Sequence, residues 1–536
     1  MSHFPLPEPD PDFLPPIPPR LEQFLASPVV TEFPERMGLT GPQTLRRNPA
    51  TGQRLGAGRE AARGETARAV VAARAAHREW AATPATERAQ VFLTLHGMIR
   101  RHEELLLDLI QAETGKARAH AYDEILDAYN ICRYVGRTAP KVLAEEGRRG
   151  AVPLLTRTRV QHVPVGVVGF ITPWNYPLSL GANDLFSALA AGNAVVHKPD
   201  SRTTLTAVLM RELALRAGLP AGVWRLVPGD PNTVGPELIA QADAVSFTGS
   251  TPAGRRIAAQ TGMHLSPTTL ELGGKNPMIV RDDADLAQAV AGAVRGAFSS
   301  TGQLCLSIER IYVVGSTERF DAFCRLLVRE ISALRVGFGY DHRFDLGSLI
   351  CAEHAERMDG FVRDAARRGG KVLIGGRRMP ELGDAFYTPT VLIDVPTTAR
   401  FFAEESFGPL VALYRASDDD DAVARANATA YGLNACIYTA DRSAGFDLAS
   451  RLETGMVNIN EPFAAAWGSV DAPSGGFKAS GLGVRHGAEG ILEFTRPRTI
   501  ARHQGIPLGP TASWGSARFQ KAMTASLAAM KGIGLK

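Results

Sequence analysis

Short β-branched apolar runs alternate with helical segments from residue 165 onward, and this alternation constrains the fold more than any other feature. The runs at 165–172, 194–197, 224–227 and 244–248 predict strands, and the segments at 201–217 and 252–261 predict helices. Strands that alternate with helices at this interval are typical of a parallel sheet with crossover helices. An α/β fold with a Rossmann-like domain of the dinucleotide-binding type is therefore predicted.

A phosphate-binding turn is predicted in this domain at residues 247–254. The usual Gly-x-Gly-x-x-Gly pattern is absent, and Phe-Thr-Gly-Ser-Thr-Pro-Ala-Gly stands in its place. A strand that passes through Gly249 and Ser250 into a helix would present free backbone N–H groups to a phosphate. A plain helix cap is the alternative.

Composition and charge exclude several classes of protein. The 536 residues exceed the usual size of one domain, so two or three domains are expected. The net charge of +4 is spread along the chain, which argues against a nucleic-acid partner. Apolar runs are too short to span a bilayer, and the N-terminus lacks the pattern of a signal peptide.

The cysteines and histidines predict neither disulfides nor a metal site. Five cysteines form no Cys-x-x-Cys pair, and the twelve histidines lack the spacing of metal ligands. A cytoplasmic protein is therefore expected.

A thiol and a carboxylate form the candidate catalytic centre. Cys305 follows Glu271 along the chain, each within a glycine-containing motif. A cysteine attacks a carbonyl carbon well when a nearby base removes its proton, directly or through a water. We predict that Cys305 is the nucleophile and Glu271 the base, although most cysteines are simply small buried apolar residues.

Seven segments resemble motifs of the aldehyde dehydrogenase superfamily, in the order found in that family, and the resemblance covers about residues 30 to 505. The segments are Thr172-Pro173-Trp174-Asn175-Tyr176-Pro177, His197-Lys198-Pro199, Phe247-Thr248-Gly249-Ser250-Thr251, Glu271-Leu272-Gly273-Gly274, Gly302-Gln303-Leu304-Cys305, Glu405-Ser406-Phe407-Gly408-Pro409 and Gly475-Gly476-Phe477-Lys478-Ala479-Ser480-Gly481.

The resemblance implies a role for each of these residues in aldehyde oxidation. The Asn175 amide and the Cys305 backbone N–H would hold the oxyanion that forms when the thiolate adds to the aldehyde, and Glu271 would activate the water that hydrolyses the thioester. Residues implied in binding the cofactor are Thr172, Trp174, Lys198, Ser201, Gly249, Ser250, Glu405 and Phe407.

Cofactor preference is predicted from Ser201. Many relatives that prefer NAD carry a glutamate there, which repels a 2′-phosphate. Ser201 leaves room for that phosphate and the neighbouring Arg202 could pair with it, although Asp200 opposes this. NADP is the predicted cofactor, with NAD as the alternative.

The predicted substrate is succinate semialdehyde, because the chain is most similar to bacterial members described as succinate-semialdehyde dehydrogenases. Some relatives hold the substrate carboxylate with an arginine where this chain has Asn183, followed by Asp184. Another aliphatic or aromatic aldehyde is the alternative. A cysteine thioesterase or esterase is an alternative of another class, and it would leave the cofactor motifs without a use.

The resemblance also implies a catalytic α/β domain and a small β arm for assembly as a homodimer or homotetramer. Eight prolines in residues 1–20 predict an extended tail, and the first helices are predicted at 65–80 and 87–113. The predicted parts are a proline-rich tail (1–30), a dinucleotide-binding domain (31–150 and 165–270), a catalytic domain (271–485), oligomerisation segments (151–164 and 486–505) and a C-terminal tail (506–536).

Overall fold

The computed structural model describes residues 15–151, 155–505 and 507–532. They divide into two compact units. One contains the chain up to Val142 together with Pro164–Thr495, and the other contains Leu143–Val163 with the residues from Arg496 onward. The finer division into five parts stays a prediction.

A six-stranded sheet organises the first half of the larger unit. Its strands are β5 (Val167–Ile171), β6 (Ala194–Lys198), β7 (Trp224–Leu226), β8 (Ala244–Thr248), β9 (Thr268–Glu271) and β19 (Gly481–Leu482). They lie in the order β19-β9-β8-β5-β6-β7, and all neighbours are parallel except β19 and β9. Buried valines fill β5 and β6, as expected for a parallel sheet covered on both faces.

Helices pack around this sheet. They are α4 (Glu65–Ala82), α5 (Ala85–Arg101), α6 (Glu103–Thr114), α7 (Arg118–Val142), α8 (Pro177–Ala190), α9 (Thr204–Arg216), α10 (Pro231–Gln241) and α11 (Thr251–Met263), with a 3-10 turn at Ser201–Thr203. The strands and helices predicted between residues 165 and 261 are confirmed, with small shifts at their ends. The segment 87–113 forms two helices that meet at His102 rather than one.

The N-terminal segment corrects the predicted extended tail. Helices α1 (Pro19–Leu25), α2 (Pro28–Thr31) and α3 (Phe33–Met37) precede the hairpin of β1 (Gln43–Arg47) and β2 (Arg54–Arg59). A proline stands in the first turn of each helix, where its missing N–H is not needed. Leu21 and Phe24 are buried, so tertiary packing stabilises this segment. Residues 1–14 of the predicted tail lie outside the described residues.

A seven-stranded sheet organises the second half of the larger unit. Its strands are β10 (Asn276–Val280), β11 (Ile308–Val314), β12 (Lys371–Ile374), β13 (Thr390–Ile393), β14 (Leu410–Ala416), β16 (Asn434–Tyr438) and β17 (Met456–Ile459). They lie in the order β12-β13-β14-β11-β10-β16-β17, and only β12 is antiparallel to its neighbour. Strand β15 (Tyr431–Gly432) pairs separately with β18 (Phe477–Lys478).

The helices of this half cover both faces of that sheet. They are α12 (Leu286–Phe298), α13 (Thr317–Ser332), α14 (Ala352–Arg367), α15 (Arg400–Ala403), α16 (Asp419–Asn427), α17 (Arg442–Ala449) and α18 (Ala464–Trp467). Helix α19 (Gly487–Leu492) packs instead against α7 and α8 of the first half. This half of the larger unit is therefore α/β, as predicted for the catalytic domain.

The smaller unit is a three-stranded sheet followed by a helix. Its strands lie in the order β20-β4-β3, with β3 at Glu146–Arg149, β4 at Thr156–Pro164 and β20 at Thr495–His503, and helix α20 spans Ser516–Gly532. Leu154, which belongs to the predicted oligomerisation segment 151–164, lies outside the described residues. Within the described parts of the chain, no helix combines the length and apolar character needed to cross a membrane.

Candidate active site

Two cavities meet at Cys305. A cleft of about 720 Å³ is lined on one side by Trp174, Ser250 and Glu405, and it reaches Glu271 and the thiol. A second, narrower pocket of about 230 Å³ approaches the thiol and has mainly apolar walls. Cys305, Asn175 and Leu180 line both cavities, so the thiol lies where two different ligands could meet.

The loop that carries Cys305 has an unusual backbone. Helix α12 ends at Phe298, and a 3-10 turn follows in which Ser300 (φ 52°) and Thr301 (φ 58°) are left-handed. Each such residue costs roughly 1 kcal/mol or more, so surrounding packing must impose the conformation. Gly302 also has a positive φ, and a Cβ there would lie 2.1 Å from the Gly408 carbonyl oxygen. Glycine is therefore required immediately before the Gln-Leu-Cys segment.

Asn175 is held next to this loop from two sides. Its side-chain Nδ2 donates to the carbonyl of Gln303 (2.9 Å), and its own carbonyl accepts from Lys116 Nζ (2.6 Å). Lys116 is fully buried and pairs with Glu124 (2.7 Å), whose other oxygen accepts the Leu178 N–H in the first turn of α8. Lys116 and Glu124 thus fix both the asparagine and the helix that follows it, and the sequence motifs had assigned neither a role.

Glu271 lies at the end of β9 and is almost completely buried. Its Oε1 has no hydrogen-bond partner among the described residues and lies 3.7 Å from Nε of Arg485. Burial raises the pKa of Glu271 to about 7, while the Arg485 charge opposes that rise and Asp184 adds to it. A carboxyl group with a pKa near neutrality can both accept and release a proton at physiological pH.

The Cys305 thiol is protonated in this environment. Burial raises its pKa to about 12, the positive charge of Arg485 opposes the rise, and Glu405 and Glu271 reinforce it. A thiol with so high a pKa needs a base to become a nucleophile, and Glu271 lines the same cleft.

Glu405 is positioned by a glycine pair at the start of the adjacent loop. Its Oε1 accepts the Gly274 N–H at 2.9 Å. A Cβ at Gly273 would lie 2.2 Å from Oε2 of the same carboxylate, so only glycine permits this approach. Burial raises the pKa of Glu405 to about 8, with Glu309 adding to the rise.

A second buried carboxylate shapes the chain around Glu405. Glu309 accepts from the backbone N–H groups of Ser406 (2.9 Å) and Phe407 (3.1 Å), and it pairs with Lys275. Phe407 is left-handed at φ 59° and lies edge-on to the Trp174 ring, with 5.6 Å between ring centroids. Lys275 and Glu309 therefore hold one wall of the cleft. Only nine lysines occur in the chain, and this scarcity could have indicated that Lys116 and Lys275 matter.

The start of α11 forms another wall of the cleft. Ser250 is the N-cap residue, yet its side chain makes no capping hydrogen bond, and Pro252 follows in the first turn. Gly249 and Ser250 both line the cleft. This helix start leaves backbone N–H groups directed at the cavity, which suits a phosphate.

Three of the predicted cofactor residues do not line the cleft. Thr172 exchanges a hydrogen bond with His197 (2.7 Å), and Nζ of the buried Lys198 donates to the carbonyl of Pro199 (3.3 Å). Ser201 starts the 3-10 turn that also carries Arg202, and Ser201 itself does not line the cleft. Its neighbour Arg202 does line the cleft, with its guanidinium 6.0 Å from the Trp174 ring centroid.

The narrower pocket combines aromatic walls with two acidic side chains. Tyr176, Phe463 and Trp467 supply much of its surface, together with the carboxylates of Asp123 and Asp127. Burial raises the pKa of both carboxyl groups, that of Asp127 to about 6. Among the described residues, Arg295 is the only basic side chain that lines this pocket, and it pairs with Glu461 at 2.8 Å.

Asn183 is engaged in a buried network rather than in lining the pocket. Its Nδ2 donates to Oδ2 of Asp127 (2.7 Å), and its Oδ1 lies 2.7 Å from Nε2 of His486. Burial lowers the pKa of His486 to about 3, so this neutral ring donates to the amide. Asn183 therefore offers no group to a substrate carboxylate.

Similarity to known proteins shows the family of the chain. A model of the aldehyde dehydrogenase family matches residues 40–500. The chain belongs to the aldehyde dehydrogenase family. A Mycolicibacterium smegmatis protein, provisionally named an NADP(+) succinate-semialdehyde dehydrogenase, is 42% identical over 87% of this chain and 90% of its own length. The Escherichia coli NADP(+) succinate-semialdehyde dehydrogenase is 38% identical over 83% of this chain and 92% of its own.

Solved structures of the family are similar across nearly the same span. An Escherichia coli NADP-dependent enzyme has a TM-score of 0.83 and 36% identity, covering 86% of this chain and 95% of its own. A Staphylococcus aureus betaine aldehyde dehydrogenase in complex with NAD+ has a TM-score of 0.83 and 31% identity, covering 87% and 93%. The predicted family and fold are therefore confirmed.

Proposed function

We propose that this aldehyde dehydrogenase oxidises succinate semialdehyde to succinate with NADP as the preferred cofactor. The observation that carries the assignment of the site is the meeting of the two cavities at Cys305, with Asn175 on both and Glu271 on the larger. This arrangement lets an aldehyde in the narrow pocket and a dinucleotide in the cleft approach the same sulfur atom.

Catalysis begins at the protonated thiol of Cys305. Glu271 removes its proton, directly or through a water, and the thiolate adds to the aldehyde carbon to give a thiohemiacetal. The Asn175 amide and the Cys305 backbone N–H donate to the oxygen that becomes negative, and one such donor is typically worth about 3 kcal/mol in the transition state. When bound, the nicotinamide cofactor accepts the hydride that leaves this carbon.

Hydrolysis of the resulting thioester returns the enzyme to its starting state. Glu271 first releases the thiol proton to solvent and then takes a proton from water, whose oxygen attacks the thioester carbon. The Cys305 sulfur leaves as a thiolate and regains a proton from Glu271. The burial that raises the pKa of Glu271 to about 7 supports its use as the base in both steps.

The cleft fits a dinucleotide. The open N-terminus of α11 suits the pyrophosphate, and Glu405 suits a ribose hydroxyl because its carboxylate is directed by Gly274. The 2′-phosphate of NADP is best served by Arg202, which lines the cleft beside Trp174. The names of the relatives from M. smegmatis and E. coli, both with NADP(+), favour the same cofactor.

The proposed substrate follows from those relatives and from Arg295. With Asn183 engaged elsewhere, Arg295 is the basic group of the pocket that can attract a substrate carboxylate. Its side chain is half exposed and already paired with Glu461, so we propose a loose electrostatic contact rather than a buried clamp.

The acidic side of the same pocket favours a second candidate, an aldehyde with an amino or hydroxyl group at its far end. Asp127 is buried, lines the pocket, and its Oδ1 has no hydrogen-bond partner among the described residues. An unpaired buried carboxylate oxygen is costly, and a donor on the substrate would satisfy it.

A panel of three four-carbon aldehydes separates these candidates. Succinate semialdehyde, 4-aminobutanal and butanal are compared by kcat/KM, from absorbance at 340 nm with NADP and with NAD. Preference for succinate semialdehyde, lost in Arg295→Gln and kept or increased in Asp127→Asn, supports the first candidate. Preference for 4-aminobutanal, lost in Asp127→Asn, supports the second. No reduction of either cofactor with any aldehyde would contradict both.

We also propose that the protein is a cytoplasmic homodimer or homotetramer. All five cysteines are free thiols, which is consistent with a reducing compartment. Strand β20 lies at an edge of the three-stranded sheet of the smaller unit, and its side chains are largely exposed. An exposed edge favours pairing with another chain.

A further inference from the structure

Arg485 is a buried cation beside the proposed catalytic base, and no motif of the sequence assigned it a role. Its Nη2 donates to Oδ2 of Asp184 (3.0 Å) and to Oγ1 of Thr248 (3.1 Å). Its guanidinium also lies over the Trp467 ring, 5.6 Å from the centroid. These contacts come from different elements and hold the planar group in one orientation.

The Nε of this guanidinium lies close to Glu271. Nε of Arg485 and Oε1 of Glu271 are both buried, both without a hydrogen-bond partner among the described residues, and 3.7 Å apart. A movement of a few tenths of an ångström would bring them into a charge-assisted hydrogen bond. Two unsatisfied groups of opposite charge that face each other point to a functional pair, because leaving either of them unpaired is costly.

Acidic groups outnumber basic groups around Glu271, Cys305 and Arg485. Glu271 faces Arg485 and the carboxylate of Asp184, and the Cys305 thiol faces Arg485, Glu405 and Glu271. Arg485 itself is surrounded by Asp184, Glu271, Cys305 and Asp127. Among the described residues, Arg485 is the basic side chain with the largest effect on both the Glu271 carboxylate and the Cys305 thiol. Removing its charge would leave both groups with mainly acidic neighbours.

We propose that Arg485 is a positioning residue, which keeps the Glu271 carboxylate ionised and fixed in place and favours the thiolate of Cys305. Asp184 and Thr248 anchor the arginine and orient its Nε toward the carboxylate. The inference rests on the roles proposed above for Cys305 and Glu271. A purely structural role, in which Arg485 only ties β8 and α8 to the segment before α19, would affect stability but not the ionisation of either group.

The test compares Arg485→Gln with Arg485→Lys in the full-length protein. Glutamine keeps hydrogen-bonding capacity but has no charge, and lysine keeps the charge. The first readout is the rate at which iodoacetamide labels Cys305 from pH 6 to 10, measured on the Cys305 peptide by mass spectrometry. It needs neither aldehyde nor cofactor, so it reports on Arg485 even if the proposed substrate is wrong.

We expect Arg485→Gln to slow this labelling about tenfold at a given pH, which corresponds to a shift of about one pH unit. The acid limb of the pH profile of kcat should move up by about the same amount, because Glu271 would hold its proton more tightly. Arg485→Lys should restore most of both effects.

The matched control is Arg281→Gln. Arg281 is also partly buried and paired with two aspartates, Asp283 and Asp419, but it lines neither cavity. The loss of the Arg281 charge should leave the pH profiles of Cys305 labelling and of kcat unchanged. Wild-type pH profiles of labelling and of kcat in Arg485→Gln would overturn the proposal. Equal losses of labelling rate and kcat in Arg485→Gln and Arg485→Lys, with no shift of either pH profile, would also overturn it. If the glutamine variant does not fold, the uncharged variant Arg485→Met takes its place. A shift of about one pH unit in Arg485→Met then supports the proposal, and a wild-type profile in Arg485→Met or a full-unit shift in Arg485→Lys overturns it.

Discussion

The proposed nucleophile, Cys305, has a thiol whose pKa is raised by burial, so its reactivity depends on a neighbouring base. A first prediction is that Cys305→Ala abolishes aldehyde oxidation and leaves NADP binding nearly unchanged, because Cys305 is the thiol that lines both cavities and would form the covalent adduct. Reduction of cofactor at 340 nm and a fluorescence titration with NADPH measure the two properties. Turnover above a trace would remove Cys305 from the mechanism.

The base gives the enzyme its expected pH dependence. Glu271 has a pKa raised to about 7 by burial, so the carboxylate is depleted below that pH and activity should rise as pH increases through 7. Glu271→Gln should lower kcat by about a hundredfold or more and abolish this limb. Stopped assays of wild type and Glu271→Gln from pH 5.5 to 9 measure this pH dependence. An unchanged pH profile in Glu271→Gln would show that another group is the base.

Cofactor preference is the third property that depends on single residues. Ser201→Glu should shift the ratio of kcat/KM for NADP over NAD towards NAD by roughly ten- to a hundredfold, corresponding to about 1 to 3 kcal/mol of repulsion from the 2′-phosphate. Because Arg202, not Ser201, lines the cleft, Arg202→Gln should shift the ratio in the same direction. Both are measured at one ionic strength. An unchanged ratio in both variants would contradict the preference for NADP.

At the scale of elements, short loops between strands and helices carry most of the site. The loop between β9 and β10 holds Glu405 through Gly273 and Gly274, and the turn after α12 holds Cys305 through left-handed residues. Each loop is supported by a buried ion pair, Lys275 with Glu309 in one case and Lys116 with Glu124 in the other. Such pairs contribute most by fixing geometry, since burial of the charges offsets much of their attraction.

A prediction at this scale concerns Gly273→Ala. The new Cβ would displace the Glu405 carboxylate, so KM for NADP should rise about tenfold or more, while labelling of Cys305 by iodoacetamide should change little. Gly262→Ala is the control, because a Cβ there meets no atom within 4 Å. An unaltered KM in the Gly273 variant would show that Glu405 does not contact the cofactor.

For the whole molecule, the smaller unit suggests how copies of the chain assemble. Ile500 on β20 is 46% exposed, which is unusual for an isoleucine unless another surface covers it. We expect light scattering to give the mass of a dimer or tetramer, and Ile500→Asp to reduce it without lowering Tm. Phe446→Asp, on a similarly exposed apolar residue of α17, is the control and should leave the mass unchanged. A monomeric wild-type protein would contradict the proposed assembly.

Much of the fold could be predicted from the sequence because local sequence patterns encode it. Short β-branched apolar runs and the strand–helix alternation predicted a parallel sheet and four of its six strands, since the period of apolar residues depends only on neighbours in the chain. The motifs around Glu271 and Cys305 were also continuous strings, so the family and the candidate nucleophile and base could be named before any geometry was known. The helices between residues 19 and 37 were missed because prolines obscure a local signal and the packing of Leu21 and Phe24 stabilises them.

Tertiary structure decided what surrounds those residues. Several contacts in the site join residues that are far apart in the sequence. The separation is 301 positions for Arg485 and Asp184, 303 for Asn183 and His486, and 131 for Glu405 and Gly274. No periodicity or short motif encodes contacts at such separations, because they form only when the sheets and loops pack. The sequence by itself determined the family, the parallel-sheet architecture and the chemistry available. The folded chain decided which charges act on the thiol and the base, since electrostatic effects depend on distance and burial rather than on order along the chain.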